Sequence, residues 1–107
     1  MRRGDLVTIA VSGDYGKPRP ALIVQSDAFE ALPSVTVLPL TSDIRDEHLV
    51  RITVRATPEN GLRAVSQVMI DKVTTVPRTR VGDMIGRADA DTMRAVDVGL
   101  GRFLGTL

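Results

Sequence analysis

The sequence contains no cysteine and no tryptophan, and its only histidine is His48. Without cysteine, the 107-residue chain can form no disulfide, no thiolate zinc site and no cysteine nucleophile. The acidic residues are scattered along the chain, and His48 lies beside Asp46 and Glu47 in a charged segment that we expect to be solvated. We therefore expect a chain that uses no metal and no cofactor and is compatible with the reducing cytoplasm.

Aromatic residues and long apolar runs are also scarce. Tyr15, Phe29 and Phe103 are the only aromatic residues, which argues against a single-strand binder that works mainly by base stacking. No segment approaches membrane-spanning length, and the basic N-terminus leads into an alternating strand rather than a signal-type apolar core. These features predict one soluble cytoplasmic domain, residues 1–107, that is not associated with a membrane.

Charge is nearly balanced, with 14 basic and 13 acidic residues and a formal net charge of +1. An anionic partner would therefore have to be met by a local basic patch. All the basic residues except Lys17 and Lys72 are arginine. Arginine offers a rigid fork of five donors that matches phosphate oxygens.

The most informative local feature is Arg19, which stands between Pro18 and Pro20 at the start of an apolar strand. Each proline fixes its own φ and restricts the residue before it, so the backbone around Arg19 has little freedom. A later strand stops at a hydroxyl pair, Thr41 and Ser42. An arginine and a nearby threonine hydroxyl together suit a phosphate ligand. A surface arginine and a turn-forming threonine are the structural alternatives.

Alternating and apolar runs predict five strands, at residues 6–11, 21–25, 35–40, 49–55 and 64–73. Residues 26–32 predict one helical turn, with Ser26 as its N-cap and Pro33 at its end. We expect a mainly β fold of the α+β class, a small SH3-like barrel or strongly bent antiparallel sheet, with this short mid-chain helix and a C-terminal helix.

The C-terminal helix is predicted from apolar residues at three- and four-residue spacings after Asp89 or Asp91, either of which can cap it. The apolar stripe is formed by Met93, Val96, Leu100, Phe103, Leu104 and Leu107. Glycines at 99, 101 and 105 weaken the helix, so it should depend on packing against the sheet.

Several segments in one order resemble the MazF/PemK (Kid) family of toxin endoribonucleases from bacterial toxin–antitoxin modules. The matching residues are 3–7, 18–24, 26–29, 39–42, 61–62, 66–68, 85–87 and 103–105. The resemblance implies a homodimer with an SH3-like barrel that cuts single-stranded RNA, often messenger RNA, at short sequences without a metal. It also implies attack by the ribose 2′-hydroxyl, with 2′,3′-cyclic phosphate and 5′-hydroxyl ends, and inhibition by an acidic antitoxin peptide.

Within this resemblance, Arg19 matches the catalytic arginine of the family, Thr41 the phosphate-stabilising threonine and Asp71 an acidic position near the groove. Asp71 could remove a proton or could orient Arg19. The side chains that we expect to contact RNA are Tyr15, Lys17, Ser42, Lys72, Arg78 and Arg80.

Two other functions remain open on the sequence alone. The first is a non-enzymatic poison of DNA gyrase resembling CcdB, although the Trp-Gly-Ile ending of CcdB-like chains is absent here. The second is a family member that binds RNA or antitoxin without turnover. It is motivated by Met69, where some members carry arginine, and by Thr74, where many do.

Overall fold

A computed structural model describes residues 1–10 and 17–107 of the chain. Within these residues, short 3₁₀ turns at Asp27–Phe29, Ile70–Lys72 and Arg78–Arg80 separate some of the strands. The strands and the helix are β1 (Asp5–Ile9), β2 (Arg19–Ile23), β3 (Ser34–Thr41), β4 (Arg51–Val54), β5 (Ser66–Met69), β6 (Thr74–Pro77), β7 (Val81–Arg87) and α1 (Ala90–Leu104). The predicted mainly β fold, with a short mid-chain helical turn and a C-terminal helix, is confirmed.

Strand β3 lies at the centre of the antiparallel sheet, whose order is β4-β5-β3-β2-β1-β7, and it also pairs with β6. Its register places Pro39 opposite Ala21 of β2, and Leu40 opposite Val68 of β5. Its first half pairs with β6 from Ser34 to Val37. One strand therefore fixes the relative positions of three others.

Strand β3 buries side chains on both of its faces, which successive side chains of a strand point to in turn. Leu38 and Leu40 belong to a core cluster that includes Val96 of helix α1. Val35 and Val37 belong to a second cluster, against which β6 and β7 pack through Val76 and Val81. The bend of the sheet thus encloses a core on each side of β3.

Helix α1 closes the first core. Asp89 is its N-cap and accepts the Thr92 backbone N–H at 2.7 Å, and hydrogen bonds from Thr92 lower the pKa of this exposed carboxyl. A Cβ on Gly99 would lie 3.2 Å from the Ile70 side chain, so the glycine lets the helix approach the 3₁₀ turn closely. The predicted dependence of this helix on packing is visible in that contact.

The strand predicted over residues 64–73 was too long. Strand β5 ends at Met69, and Asp71 lies in the 3₁₀ turn that follows rather than on a strand. The turn forms because Ile70 is fully buried and its backbone N–H donates to the Val50 carbonyl, while its carbonyl accepts the Val73 N–H. Strands β6 and β7 were not predicted, since their residues are exposed or half-buried and show no clear alternation.

None of the helices in the described residues is long and apolar enough to cross a membrane.

Gly61 provides a test of the packing between the β4–β5 connection and β7. Its φ is +70°, and an added Cβ would lie 1.8 Å from the Ile85 carbonyl oxygen. Gly105, after helix α1, has a similar φ of +76° but open space around it. We expect Gly105→Ala to cost about 1–2 kcal/mol from backbone strain alone, and Gly61→Ala to cost roughly 2–5 kcal/mol because overpacking is added.

Urea unfolding of the two variants measures this difference, since the slope of the transition should stay similar while the midpoint moves. Equal losses in the two variants would show that the contact between Gly61 and Ile85 is relaxed in solution.

Candidate active site

Arg19 and Thr41 come together at the end of the β2–β3 ladder. The ladder pairs Ala21 with Pro39, Leu22 with Leu38 and Ile23 with Val37, and each of the two residues lies two positions beyond the Ala21–Pro39 end. Both residues line the same two clefts. Two residues separated by 22 positions in the sequence are therefore close together in the fold.

Two clefts meet at this pair. The first, which we call the apolar cleft, has a volume of about 600 Å³, and the second, the loop cleft, has about 440 Å³. Arg19, Leu40 and Thr41 line both of them. The apolar cleft is otherwise lined by Ile9, Ala10, Pro39, Met69, Lys72, Thr74, Thr75, Val76, Pro77 and Arg80. The loop cleft is otherwise lined by Thr8, Pro18, Pro20, Ser42, Gly61, Leu62, Arg63, Ala64, Ser66 and Ile85.

The Thr41 hydroxyl has a defined hydrogen-bonding role at the end of β3. Its oxygen accepts the Asp43 backbone N–H at 3.1 Å, which is the turn-forming role considered as the structural alternative. A hydroxyl that accepts one hydrogen bond still has its own hydrogen to donate. Thr41 can therefore stabilise the turn and donate to a ligand at the same time. Ser42, which follows it, is exposed and lines the loop cleft.

The predicted cationic residues divide into two groups. Lys72 and Arg80 line the apolar cleft together with Arg19. Arg78 does not line either cleft, because its Nε donates to the Leu32 carbonyl at 2.5 Å and its Nη2 to the Phe29 carbonyl at 3.4 Å. Its guanidinium thus holds the segment between β2 and β3. Among the described residues, Lys17 is exposed at the start of the second described range.

Asp71 and His48 lie outside both clefts, and Tyr15 is not among the described residues. Asp71 is exposed and lines neither cleft, although its neighbour Lys72 lines one. His48 is exposed and pairs with Asp46, outside both clefts, as expected from the sequence. Tyr15 lies outside the residues that the structure describes.

Arg63 is a candidate that the sequence did not single out. It is exposed and lines the loop cleft, whereas Lys72 and Arg80 line the apolar cleft. Its sequence context is an ordinary turn after Gly61, which carries no functional signal. Arg63 is recognised only because the fold brings the β4–β5 connection beside the end of β3.

The described charged residues that line the two clefts are all basic. Basic side chains border both clefts, and none of the described residues that line them is acidic. A guanidinium stays protonated at neutral pH, so Arg19 can stabilise an anion but is a poor proton carrier. The residues from 1 to 10 and from 17 to 107 contain no group of three or more metal-binding side chains. The arrangement suits an extended anionic chain that passes through both clefts.

The chain matches the family described as the PemK-like, MazF-like toxin of type II toxin–antitoxin systems over residues 2–104, and it belongs to that family. It is 51% identical over 106 residues to the probable endoribonuclease MazF of Mycolicibacterium smegmatis, a match that covers 98% of this chain and 97% of that protein.

Solved structures give the same result. The Mycobacterium tuberculosis toxin MazF-mt6 superposes with a TM-score of 0.81 at 26% identity, covering 94% of this chain and 96% of that chain. A MazE–MazF crystal structure from Deinococcus radiodurans has a TM-score of 0.82 at 26% identity, covering 100% of this chain and 97% of that chain. The family resemblance inferred from the sequence is confirmed.

Proposed function

We propose that this toxin-family chain is a metal-independent endoribonuclease that cuts single-stranded RNA, including messenger RNA, at short sequences. The observation that carries the proposal is that Arg19 and Thr41 both line the two clefts, and that no described residue lining either cleft is acidic. The Mycolicibacterium smegmatis relative at 51% identity, named a probable endoribonuclease, supports the same activity.

In the proposed reaction, the ribose O2′ attacks the adjacent phosphorus and the bond from phosphorus to O5′ breaks. A proton leaves O2′ and a proton joins O5′, so the products are a 2′,3′-cyclic phosphate and a 5′-hydroxyl. Arg19 and the Thr41 hydroxyl donate hydrogen bonds to the phosphate oxygens, on which negative charge builds up in the transition state. Removal of one donor of this kind typically lowers kcat by about 10²–10³-fold.

Asp71 has a more distant role in this proposal. Its exposed carboxylate adjoins Lys72 at the rim of the apolar cleft, where it could accept the O2′ proton through water or orient a cation. Which of these it does depends on the bound RNA. Charge stabilisation by Arg19 and Thr41 is the part of the mechanism that the geometry supports best.

The rest of the cleft surface is proposed to hold the RNA strand on either side of the scissile phosphate. Lys72 and Arg80 face phosphates on one side, and Arg63 and Ser42 face those on the other. Lys17 and Tyr15 precede Arg19 in the sequence and are proposed to contact the strand near that residue.

Three further properties are proposed from the family. An acidic antitoxin peptide would compete with RNA for the apolar cleft and the loop cleft, because the basic side chains that line them attract an acidic partner. The MazE–MazF structure from Deinococcus radiodurans is a relative crystallised with a second protein of this kind of module. We also propose that the chain acts as a homodimer and works in the cytoplasm, where messenger RNA is found.

Cleavage in the presence of excess EDTA tests the activity directly. Purified protein is incubated with a long single-stranded RNA, alongside Arg19→Ala, and the product ends are mapped. We expect discrete cuts with 5′-hydroxyl ends from the unchanged protein, and a loss of about 10²-fold or more in Arg19→Ala, because a transition-state donor is removed. Circular dichroism checks that the variant is folded.

Intact RNA in both samples would contradict the proposal. Tight RNA binding without products would then favour a member that binds without turnover, and a direct pull-down of DNA gyrase would favour the CcdB-like alternative.

The salt dependence of RNA binding tests which cations face the strand. Removing one cation that neutralises a phosphate should reduce the slope of log affinity against log salt by about 0.7 for single strands. We expect this reduction in Lys72→Ala and in Arg80→Ala, measured with an RNA whose cleavable 2′-hydroxyl is replaced by hydrogen.

Arg78→Ala is the matched control for this measurement, since its guanidinium donates to the Leu32 and Phe29 carbonyls instead. Its salt slope should stay unchanged while its melting temperature falls. If the slope fell in Arg78→Ala and stayed unchanged in Lys72→Ala and Arg80→Ala, Arg78 would be the residue that faces RNA phosphates and the other two would not.

A further inference from the structure

Gln67 of β5 is a polar side chain buried in the sheet, with only 4% of its surface exposed. Its Oε1 accepts the Arg45 backbone N–H at 3.0 Å, and its Nε2 donates to the Arg45 carbonyl at 2.9 Å. Nε2 also donates to Thr53 Oγ1 at 3.1 Å, and Arg51 Nη1 donates to Oε1 at 3.1 Å. All the donors and acceptors of this amide are therefore used, and two of its bonds hold the backbone of one residue in the β3–β4 loop.

Arg51 supports the same loop from strand β4. Its side chain is 8% exposed, and its Nη1 donates to the Asp43 carbonyl at 2.9 Å as well as to Gln67. Its Nε is buried without a hydrogen-bond partner among the described residues, and the nearest ion-pair partner is the Glu47 carboxylate at 3.5 Å. Arg51 thus ties strand β4 to the β3–β4 loop, as Gln67 does from strand β5.

These contacts lead directly to the Thr41 hydroxyl. Gln67 is the register partner of Thr41, which places both side chains on one face of the sheet. Arg51 holds the Asp43 carbonyl, and the Asp43 N–H donates to Thr41 Oγ1. The orientation of the Thr41 hydroxyl thus depends on where Gln67 and Arg51 hold residues 43–45.

We propose that Gln67 and Arg51 form a clamp on the β3–β4 loop and are positioning residues for the reaction. The clamp fixes Asp43 and Arg45, and through them it aims the Thr41 hydroxyl and Ser42 at the phosphate bound by Arg19. This inference rests on the proposed function, because its effect is measured as RNA cleavage.

The chain offers a matched control in Gln25. This half-buried glutamine also binds backbone groups, since its Nε2 donates to the Phe29 carbonyl at 3.2 Å and its Oε1 accepts the Thr36 N–H at 3.1 Å. It holds the β2–β3 connection and lines neither cleft. Gln67→Met and Gln25→Met therefore remove the same kind of amide from two different loops, of which one leads to Thr41.

The experiment measures kcat and KM on a short RNA that contains one mapped cut site. A displacement of about 1 Å at a reacting group can cost about 10²-fold in rate. We expect Gln67→Met to lower kcat at least about tenfold with KM changed less than about threefold, since the cations that bind the strand remain. Gln25→Met should leave both constants within about twofold, although its melting temperature also falls.

Arg51 gives a second pair of variants if Gln67→Met does not fold. Lysine can still donate to the Asp43 carbonyl and to Gln67, whereas methionine cannot, so Arg51→Lys should recover most of the kcat that Arg51→Met loses. A purely structural role would move the melting temperatures of these variants without a selective fall in kcat.

The outcomes separate the inference from the proposed function. A wild-type protein that cuts no RNA overturns both. The clamp alone is overturned by a different result. In that case the wild-type protein cuts RNA and depends on Arg19, but folded Gln67→Met and Arg51→Met have the same kcat as Gln25→Met.

Discussion

The register of strand β3 is the constraint on which the rest of this structure depends. Its residues pair with β2, β5 and β6, and its buried side chains enter two separate cores. A shift of one residue would move Leu38 and Leu40 to the face now occupied by Val35 and Val37, so the burial of both sets holds the strand in one position. The same strand carries Thr41 at its end, where Thr41 and Arg19 line the same two clefts.

Placing the site at the end of a central strand has a chemical consequence. Arg19 and Thr41 lie on a rigid sheet, while the connecting loops supply Ser42 and Arg63 to the loop cleft, and the segment around β6 supplies Lys72 and Arg80 to the apolar cleft. A preorganised donor pair stabilises developing negative charge without having to reorganise during the reaction. Loops vary more between relatives than the strands they connect, so the proposed RNA contacts can change without moving Arg19 and Thr41.

Local sequence patterns predicted the parts of this structure that depend on local physics. The prolines around Arg19, the strand that ends at Thr41 and the Asp89 cap of helix α1 are each visible within a few residues. The family resemblance then assigned roles to Arg19 and Thr41. Arg78 and Gln67 could not be assigned in this way, since their partners lie 14 to 49 positions away in the sequence. The 3₁₀ turn that contains Asp71 forms because Ile70 is buried against helix α1. This is a tertiary contact that the local sequence does not show, so Asp71 was expected on a strand.

The central claim is that Arg19 and Thr41 act on one phosphate as a unit, and a double-mutant cycle tests it most directly. Single-turnover cleavage rates would be measured for the unchanged protein, Arg19→Ala, Thr41→Val and the double variant, with folding checked in each. Residues that act as a unit are strongly non-additive, so the double variant should be little slower than Arg19→Ala, with a coupling energy above about 1 kcal/mol. Rate losses that add within about 0.5 kcal/mol would show that the two residues act independently and would contradict this account.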